Sequence, residues 1–249
     1  MTQSLQHHII RQLHSRLSKF VSSPDDFRHL LRDTHSAITG SFALSFINSD
    51  WWKPRVMDIC VPHEASEAWT SYLTTSQEYR FIREETRPGY EDTIFRATVL
   101  FKTGIGTIQI IQSTDSCALR PIPYFWTTFL MNYVAANYIC VAYSDTLNRR
   151  GHHNDSSPTT IDKRNILLAN FATRGYSSVP ILPCSGVQEC RGWCAHQIRS
   201  FADHYTIKYL IGDAHTPDIH SIPSSPVWTL NQCIHNESCI VGTLDICNC

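Results

Sequence analysis

The sequence predicts an α+β fold: a mixed β-sheet core with flanking helices and a mainly helical C-terminal part. Three observations predict it. A strand–turn–helix–strand unit fills residues 37–61, apolar runs punctuated by glycine turns follow it as antiparallel strands, and amphipathic helical patterns lie on either side. At 249 residues, 42% apolar and 17% charged, the chain can bury a sizeable core as one large domain or two small ones. Its formal net charge of −1 gives no electrostatic case for DNA, RNA or an anionic membrane as partner.

The elements follow in order. Leu5, Ile9, Leu13 and Leu17 recur every four residues, the rhythm of an amphipathic helix ending near Val21. The pair His7-His8 reads as solvated surface of that helix. Ser23-Pro24-Asp25-Asp26 reads as N-cap, first-turn proline and acidic first turn of a second helix, with Phe27, Leu30 and Leu31 facing inward. Residues 37–39 suit a short strand, Gly40-Ser41 a tight turn and 42–47 a helix. Residues 56–61 form an apolar strand carrying one acid, Asp58, and 63–74 a helix. Residues 79–84, 93–102 and 107–112 read as further strands, the last two joined by the hairpin signal Thr103-Gly104-Ile105-Gly106.

Residues 121–137 are almost continuously apolar and predict a buried helix beginning after Pro123. Tyr124, Phe125, Trp126, Phe129 and Tyr133 then belong to its core, since no basic residues are interleaved as a base-stacking platform would need. Residues 138–143 are a short apolar run. The polar stretch 147–160 reads as a linker or loop, a soft boundary between 1–146 and 161–249. Beyond it, 161–173 predicts a helix closed by a turn at Gly175, and 187–211 mostly helix with Arg191, Arg199 and Lys208 on its polar parts.

The N-terminal residues are too polar for a signal peptide, and no run approaches ~18 apolar residues. The expectation is an intracellular protein, cytoplasmic or nuclear, whose ten cysteines are mostly reduced thiols. The sequons at Asn154 and Asn236 are then chance matches. Cys184, Cys190, Cys194, Cys233, Cys239, Cys247 and Cys249 largely lack the close pairs of structural zinc sites, which disfavours a zinc-stabilised interaction module. No glycine-rich phosphate fingerprint and no nucleophile motif around a cysteine is present.

Gly40-Ser41 before a short helix, with Asp58 on the next strand, resembles the signature of the nucleotidyltransferase (DNA polymerase β-like) superfamily. That signature is Gly-Ser or Gly-Gly, then roughly ten to fourteen residues, then two acids separated by one apolar residue on a strand, with a third acid on a later strand. Trp52-Lys53-Pro54-Arg55-Val56-Met57-Asp58 is also similar to the Trp-x-Pro-x-Asp-Leu-Asp run of fungal proteins carrying such a domain. The resemblance covers about residues 35–145. It implies phosphates held at Gly40 and Ser41, Mg²⁺ held by carboxylates, and a nucleoside triphosphate as ligand.

The chemistry explains the acids. Residues i and i+2 on a strand face one way, so two such carboxylates share a hard cation; with a third nearby they hold two ions that align a triphosphate against an attacking hydroxyl. This chain departs from the pattern. If Asp58 is the second acid, Val56 stands at the first position; if it is the first, Cys60 stands at the second, and thiolate suits Mg²⁺ poorly. The later strand offers Gln109 and Gln112 but no acid, and Asp50, Glu64, Asp92 and Asp115 lie on flanking segments. The expectation is a degenerate, inactive nucleotidyltransferase-like protein, with Asp58 its one retained motif acid and weak metal ligand. Its residual role is nucleotide binding or contact with a protein partner; the alternative is a divergent Mg²⁺-dependent transferase acting on a hydroxyl acceptor.

Overall fold

The computed structural model describes residues 3–86, 89–90, 92–179, 198–212 and 226–230. The four-residue rhythm forms α1 (Gln3–Leu17), burying Leu13 and Leu17 and leaving His7 and His8 exposed. Ser23 caps α2 (Pro24–Asp33) by accepting the Asp26 N–H at 3.3 Å. β1 (Ala37–Thr39), α3 (Gly40–Ile47) and β2 (Val56–Val61) follow where expected. The helix after β2 is a composite: α4 (Ser66–Ser71) lies between a 3₁₀ turn, His63–Ala65, and a π turn, Tyr72–Ser76. β3 (Arg80–Glu85), β4 (Ile94–Lys102) and β5 (Gly106–Ser113) come next. The β4–β5 hairpin pairs Lys102 with Gly106, and its glycines take φ values of +78° and +139° that β-branched residues avoid.

The remaining elements are β6 (Asn132–Val134), β7 (Tyr138–Val141), β8 (Arg150–His152), α5 (Ile161–Ala172), β9 (Ser177–Val179), β10 (Arg199–Ser200), β11 (Ile207–Leu210) and β12 (Val227–Trp228). An eight-stranded sheet runs β11-β7-β6-β1-β2-β5-β4-β3. Only its β2–β5 neighbours are parallel, so the sheet is mixed and the fold α+β. Strand alternation sends Met57, Ile59 and Ile108 to the face covered by α1–α4, against Leu13, Phe27, Phe42 and Trp69. Cys60, Ile111 and Tyr133 go to the opposite face, against Phe201 and Trp228. Each such side chain contributes about 1.5–3 kcal/mol by burial, which fixes the strand register firmly. A third cluster, containing Trp52, Trp126, Phe129, Phe171 and Tyr176, seats α5 beside α3.

Three sequence expectations need correction. Residues 121–137 are buried but are not a helix: they form 3₁₀ turns at Ile122–Tyr124 and Thr128–Leu130, then β6. Phe125 and Thr127 take extended backbone, each at ψ +147°, which separates the two turns, and the Asn132 amide turns back to donate to Phe129 O at 2.7 Å. Burial alone does not distinguish a buried helix from packed turns. The stretch 147–160 is not a detached linker. β8 pairs in parallel with β9, and Asn154, fully buried, donates through Nδ2 to Pro123 O and Phe125 O at 2.8 Å each. Its sequon is therefore closed in the folded chain; Asn236 lies outside the described residues.

The third correction concerns 187–211, whose described part contains β10 and β11 instead of helix. Asp203 explains the break, because its carboxylate accepts the N–H groups of Ser200, Tyr205 and Thr206 and offers the backbone a turn. Arg199, expected on a polar surface, is 1% exposed; it donates to Ala142 O at 2.6 Å and ion-pairs with Asp203. No helix among the described residues is long and apolar enough to cross a membrane. Cys60, Cys117 and Cys140 are buried thiols. The later cysteines and Arg191 lie outside the described residues.

Candidate functional site

The site begins where β1 turns into α3. Thr39 is extended, at φ −137° and ψ −165°, and its hydroxyl donates to Asn132 O at 2.8 Å. Gly40 then swings to φ +65°, which turns the chain into the helix. The β1–β2 register sets Asp58 opposite Thr39, so the Asp58 carboxylate lands on Gly40. A Cβ on Gly40 would fall 2.3 Å from Asp58 Oδ2. Backbone angle and space therefore both require glycine here.

Val56, Asp58 and Cys60 share one face of β2 but meet different surroundings. Val56 is 37% exposed, Asp58 half-buried and Cys60 wholly buried beside Ala37, Ile111 and Cys140. A cation cannot reach Cys60 without opening that core, so Val56 is the position open to solvent next to Asp58. On the other side, β5 places Gln109 directly opposite Asp58, and β4 places Val99 beyond it. The row across the sheet reads Thr39, Asp58, Gln109, Val99, with one acid.

The flanking acids serve other ends. Asp50 accepts the Tyr176 hydroxyl at 2.5 Å and the Arg149 guanidinium at 2.9 Å. Asp115 accepts the Cys117 N–H at 2.9 Å and pairs with Arg120; burial works to raise its pKa, but the Arg120 hydrogen bond holds it below the usual carboxylate range. Gln112 is occupied by Arg96 at 2.7 Å and His63 O at 2.6 Å. Glu64 and Asp92 do not line the cleft described below. Among the described residues, no group of three or more His, Cys, Asp or Glu is placed to hold a metal ion. The residues present do not fit a two-metal centre: one carboxylate, a valine, a buried thiol and a neutral amide cannot neutralise two divalent ions.

Above Gly40, Ser41 and Asp58 opens a cavity of about 580 Å³, within the range of small-molecule sites. Glu85, Thr86 and Tyr90 form one wall and Phe125, Trp126 and Leu130 another. Helix α5 closes it with Lys163, Leu167, Asn170 and Phe171, and Arg174 follows just beyond the helix end. Thr160 caps α5 by accepting the Lys163 N–H at 3.4 Å. Gly175, at φ +82°, ends it in a Schellman turn, with Tyr176 N–H donating to Phe171 O at 3.1 Å and Gly175 N–H to Ala172 O at 2.9 Å. That turn sets the Arg174 guanidinium 4.4 Å from the Trp52 ring centre and 5.1 Å from that of Phe171. The loop after α3 and the end of α5 are thus fastened to each other at the cleft.

Solved structures similar to this fold include two described as the complex structure of CCA-adding enzyme with ATP and with CTP. The first is 16% identical over 66% of this chain and 41% of its own, with a TM-score of 0.45. The second is 16% identical over 67% of this chain and 43% of its own, with a TM-score of 0.44. A tRNA-processing enzyme in an apo form is 9% identical over 63% of this chain and 44% of its own, with a TM-score of 0.38. The chain spans about two fifths of the length of these enzymes. A scan of family models finds no match, and a search of curated proteins finds none either.

Of the residues singled out in the sequence, Gly40, Ser41 and Asp58 meet in one cleft, with Gln109 next to Asp58 in the sheet. Lys163, Arg174, Glu85 and Tyr90 escaped the sequence reading. Lys163, Leu167, Asn170 or Phe171, and Arg174 recur at helical spacing, so α5 and the turn that ends it present a cation at each end of one face. That periodicity was available in the sequence; which way the face points was not. Phe125 and Trp126, read as core, do pack as core, yet they also line the cleft.

Proposed function

We propose that this chain is a nucleotidyltransferase-like protein that binds a nucleoside triphosphate and does not catalyse two-metal transfer. The observation that carries the reading is the sheet row through Asp58, which lines the cleft as the one acid of that row, flanked by Val56 on its own strand and Gln109 on the next. Gly40 and Ser41, at the start of α3 in a cavity of about 580 Å³ with aromatic and basic walls, support a nucleotide as the ligand. Two-metal transfer instead needs carboxylates at the valine and glutamine positions.

Calorimetric titration of ATP, CTP, GTP and UTP tests the binding, with saturable heat from at least one expected. Incubation with labelled triphosphates and hydroxyl acceptors tests the chemistry. No transfer above the level of Asp58→Asn is expected. Turnover that this substitution abolishes would make the chain a divergent transferase; no binding of any nucleotide would remove the reading altogether.

A further inference from the structure

We propose that the cleft holds the polyphosphate of its ligand with Lys163 and Arg174, on the α5 side, and without a metal ion held by the protein. The inference rests on the nucleotide reading above and concerns how the ligand's charge is met. In a two-metal site the phosphate charge is balanced by cations that three carboxylates retain. Here the floor provides Asp58 alone, pressed against Gly40, with neutral Val56 and Gln109 beside it and Cys60 sealed in the core.

Glu85, the other carboxylate lining the cleft, does not complete the set. It lies on β3, three strands from β2, which at the usual strand spacing is about 14 Å sideways. Among the described residues, Asp58 and Glu85 belong to no group of three or more His, Cys, Asp or Glu placed to hold a metal ion. Glu85 is also ion-paired with Arg83.

The positive charge comes from the opposite wall. Lys163, in the first turn of α5, and Arg174, in the turn that ends it, both line the cavity. Lys163 extends from the first turn of α5 as a mobile point charge. Arg174 is oriented by the faces of Trp52 and Phe171, which leaves its planar fork pre-set for phosphate oxygens. With Glu85 already paired, two cations face the ligand against Asp58. The charge that metal ions would supply to a polyphosphate is therefore built into the helix.

Titrating the full chain with ATP and with inorganic tripolyphosphate, once in EDTA and once in Mg²⁺, tests this. Both probes are expected to bind in EDTA with a Kd no more than about twofold weaker than in Mg²⁺. Lys163→Ala and Arg174→Ala should each weaken binding at least tenfold, and the exposed charge reversal Lys163→Glu should weaken it further while the helical circular dichroism is retained. Asp58→Asn, which removes a negative charge facing the ligand, should tighten binding in EDTA, and weaker binding there would overturn the inference. Binding that needs Mg²⁺ and vanishes in EDTA would overturn the inference and leave the nucleotide reading standing. Tripolyphosphate bound in EDTA while no nucleotide binds would do the reverse. Failure of both probes in both buffers would overturn both.

Discussion

The carboxylate of Asp58 occupies the space in which a side chain on Gly40 would begin, 2.3 Å from its Cβ position. Glycine at this turn is therefore required by its neighbour as well as by its φ of +65°. Gly40→Ala should cost about 1–3 kcal/mol from the left-handed backbone alone, plus whatever is needed to displace Asp58. In a Gly40→Ala/Asp58→Ala double variant only the backbone cost should remain. Urea denaturation of the four proteins checks this: the two substitutions should be less than additive. Additive losses would mean that the contact does not limit the turn.

The two positions flanking Asp58 on its own face should respond in opposite ways to an added acid. Val56→Asp places a charge at a site 37% exposed and should change stability by less than about 1 kcal/mol. Cys60→Asp puts the same charge into a fully buried position and should cost about 3–5 kcal/mol or prevent folding. Combining Val56→Asp with Gln109→Asp assembles three carboxylates around one point of the sheet. That variant should gain a Mn²⁺-dependent rise in Tm that the parent chain lacks. No Mn²⁺ response from the triple-acid face would show that lost acids are not what separates this cleft from a metal site.

The strand–turn–helix–strand unit was legible because each of its signals is local: Gly40 for the turn, an apolar run for β2, and glycines for the β4–β5 hairpin. The partnership of Asp58 with Gln109 was not, since it depends on the parallel β2–β5 register, set by burial of Met57, Ile59, Ile108 and Ile110. Residues 121–137 misled for a related reason. Their burial comes from packing on α5 and the sheet, and apolar composition records burial without recording backbone. The α5 wall of the cleft shows the same limit. Its helix was visible, but the contact of Trp52 with Arg174 that aims it spans more than a hundred residues of sequence.

Stability should fall at both ends of the pH scale. Asp115 and Asp203 have lowered pKa values: burial opposes the shift, and hydrogen bonds from Arg120 and Arg199 outweigh it. Their contribution is complete above the unfolded carboxylate value of about 3.9 and is lost as pH falls through the lower folded values. Burial shifts tyrosines the other way. Tyr72 is pushed up to about 12, mainly by burial and then by Asp26, and Tyr79, Tyr143 and Tyr176 are raised further. The unfolded chain ionises near ~10 and the folded chain resists, so this contribution is intact below about pH 10 and declines above it. Urea midpoints from pH 2.5 to 11 check both limbs, and Tyr79→Phe should flatten the alkaline one. A midpoint constant between pH 9 and 11 would contradict the tyrosine shifts.

Asp50 should prove a structural hub for the cleft, although it takes no part in it. Its side chain is 1% exposed and receives Tyr176 at 2.5 Å and Arg149 at 2.9 Å, while Arg16 donates to its backbone oxygen at 3.1 Å. Asn48 adds a hydrogen bond to the Tyr176 hydroxyl at 2.7 Å. These bonds tie the loop after α3 to the turn that ends α5, the two segments between which Trp52 and Arg174 meet. Asp50→Ala leaves the buried Tyr176 hydroxyl without its acceptor and should cost about 1–3 kcal/mol, whereas Tyr176→Phe, which keeps the ring in its aromatic cluster, should cost about 1–2 kcal/mol. Ligand affinity should fall in Tyr176→Phe even under conditions where the variant is fully folded, because the α5 wall loses one of its fixed points. Equal affinity in the folded variant would mean that Trp52, Phe129 and Phe171 hold α5 by packing alone.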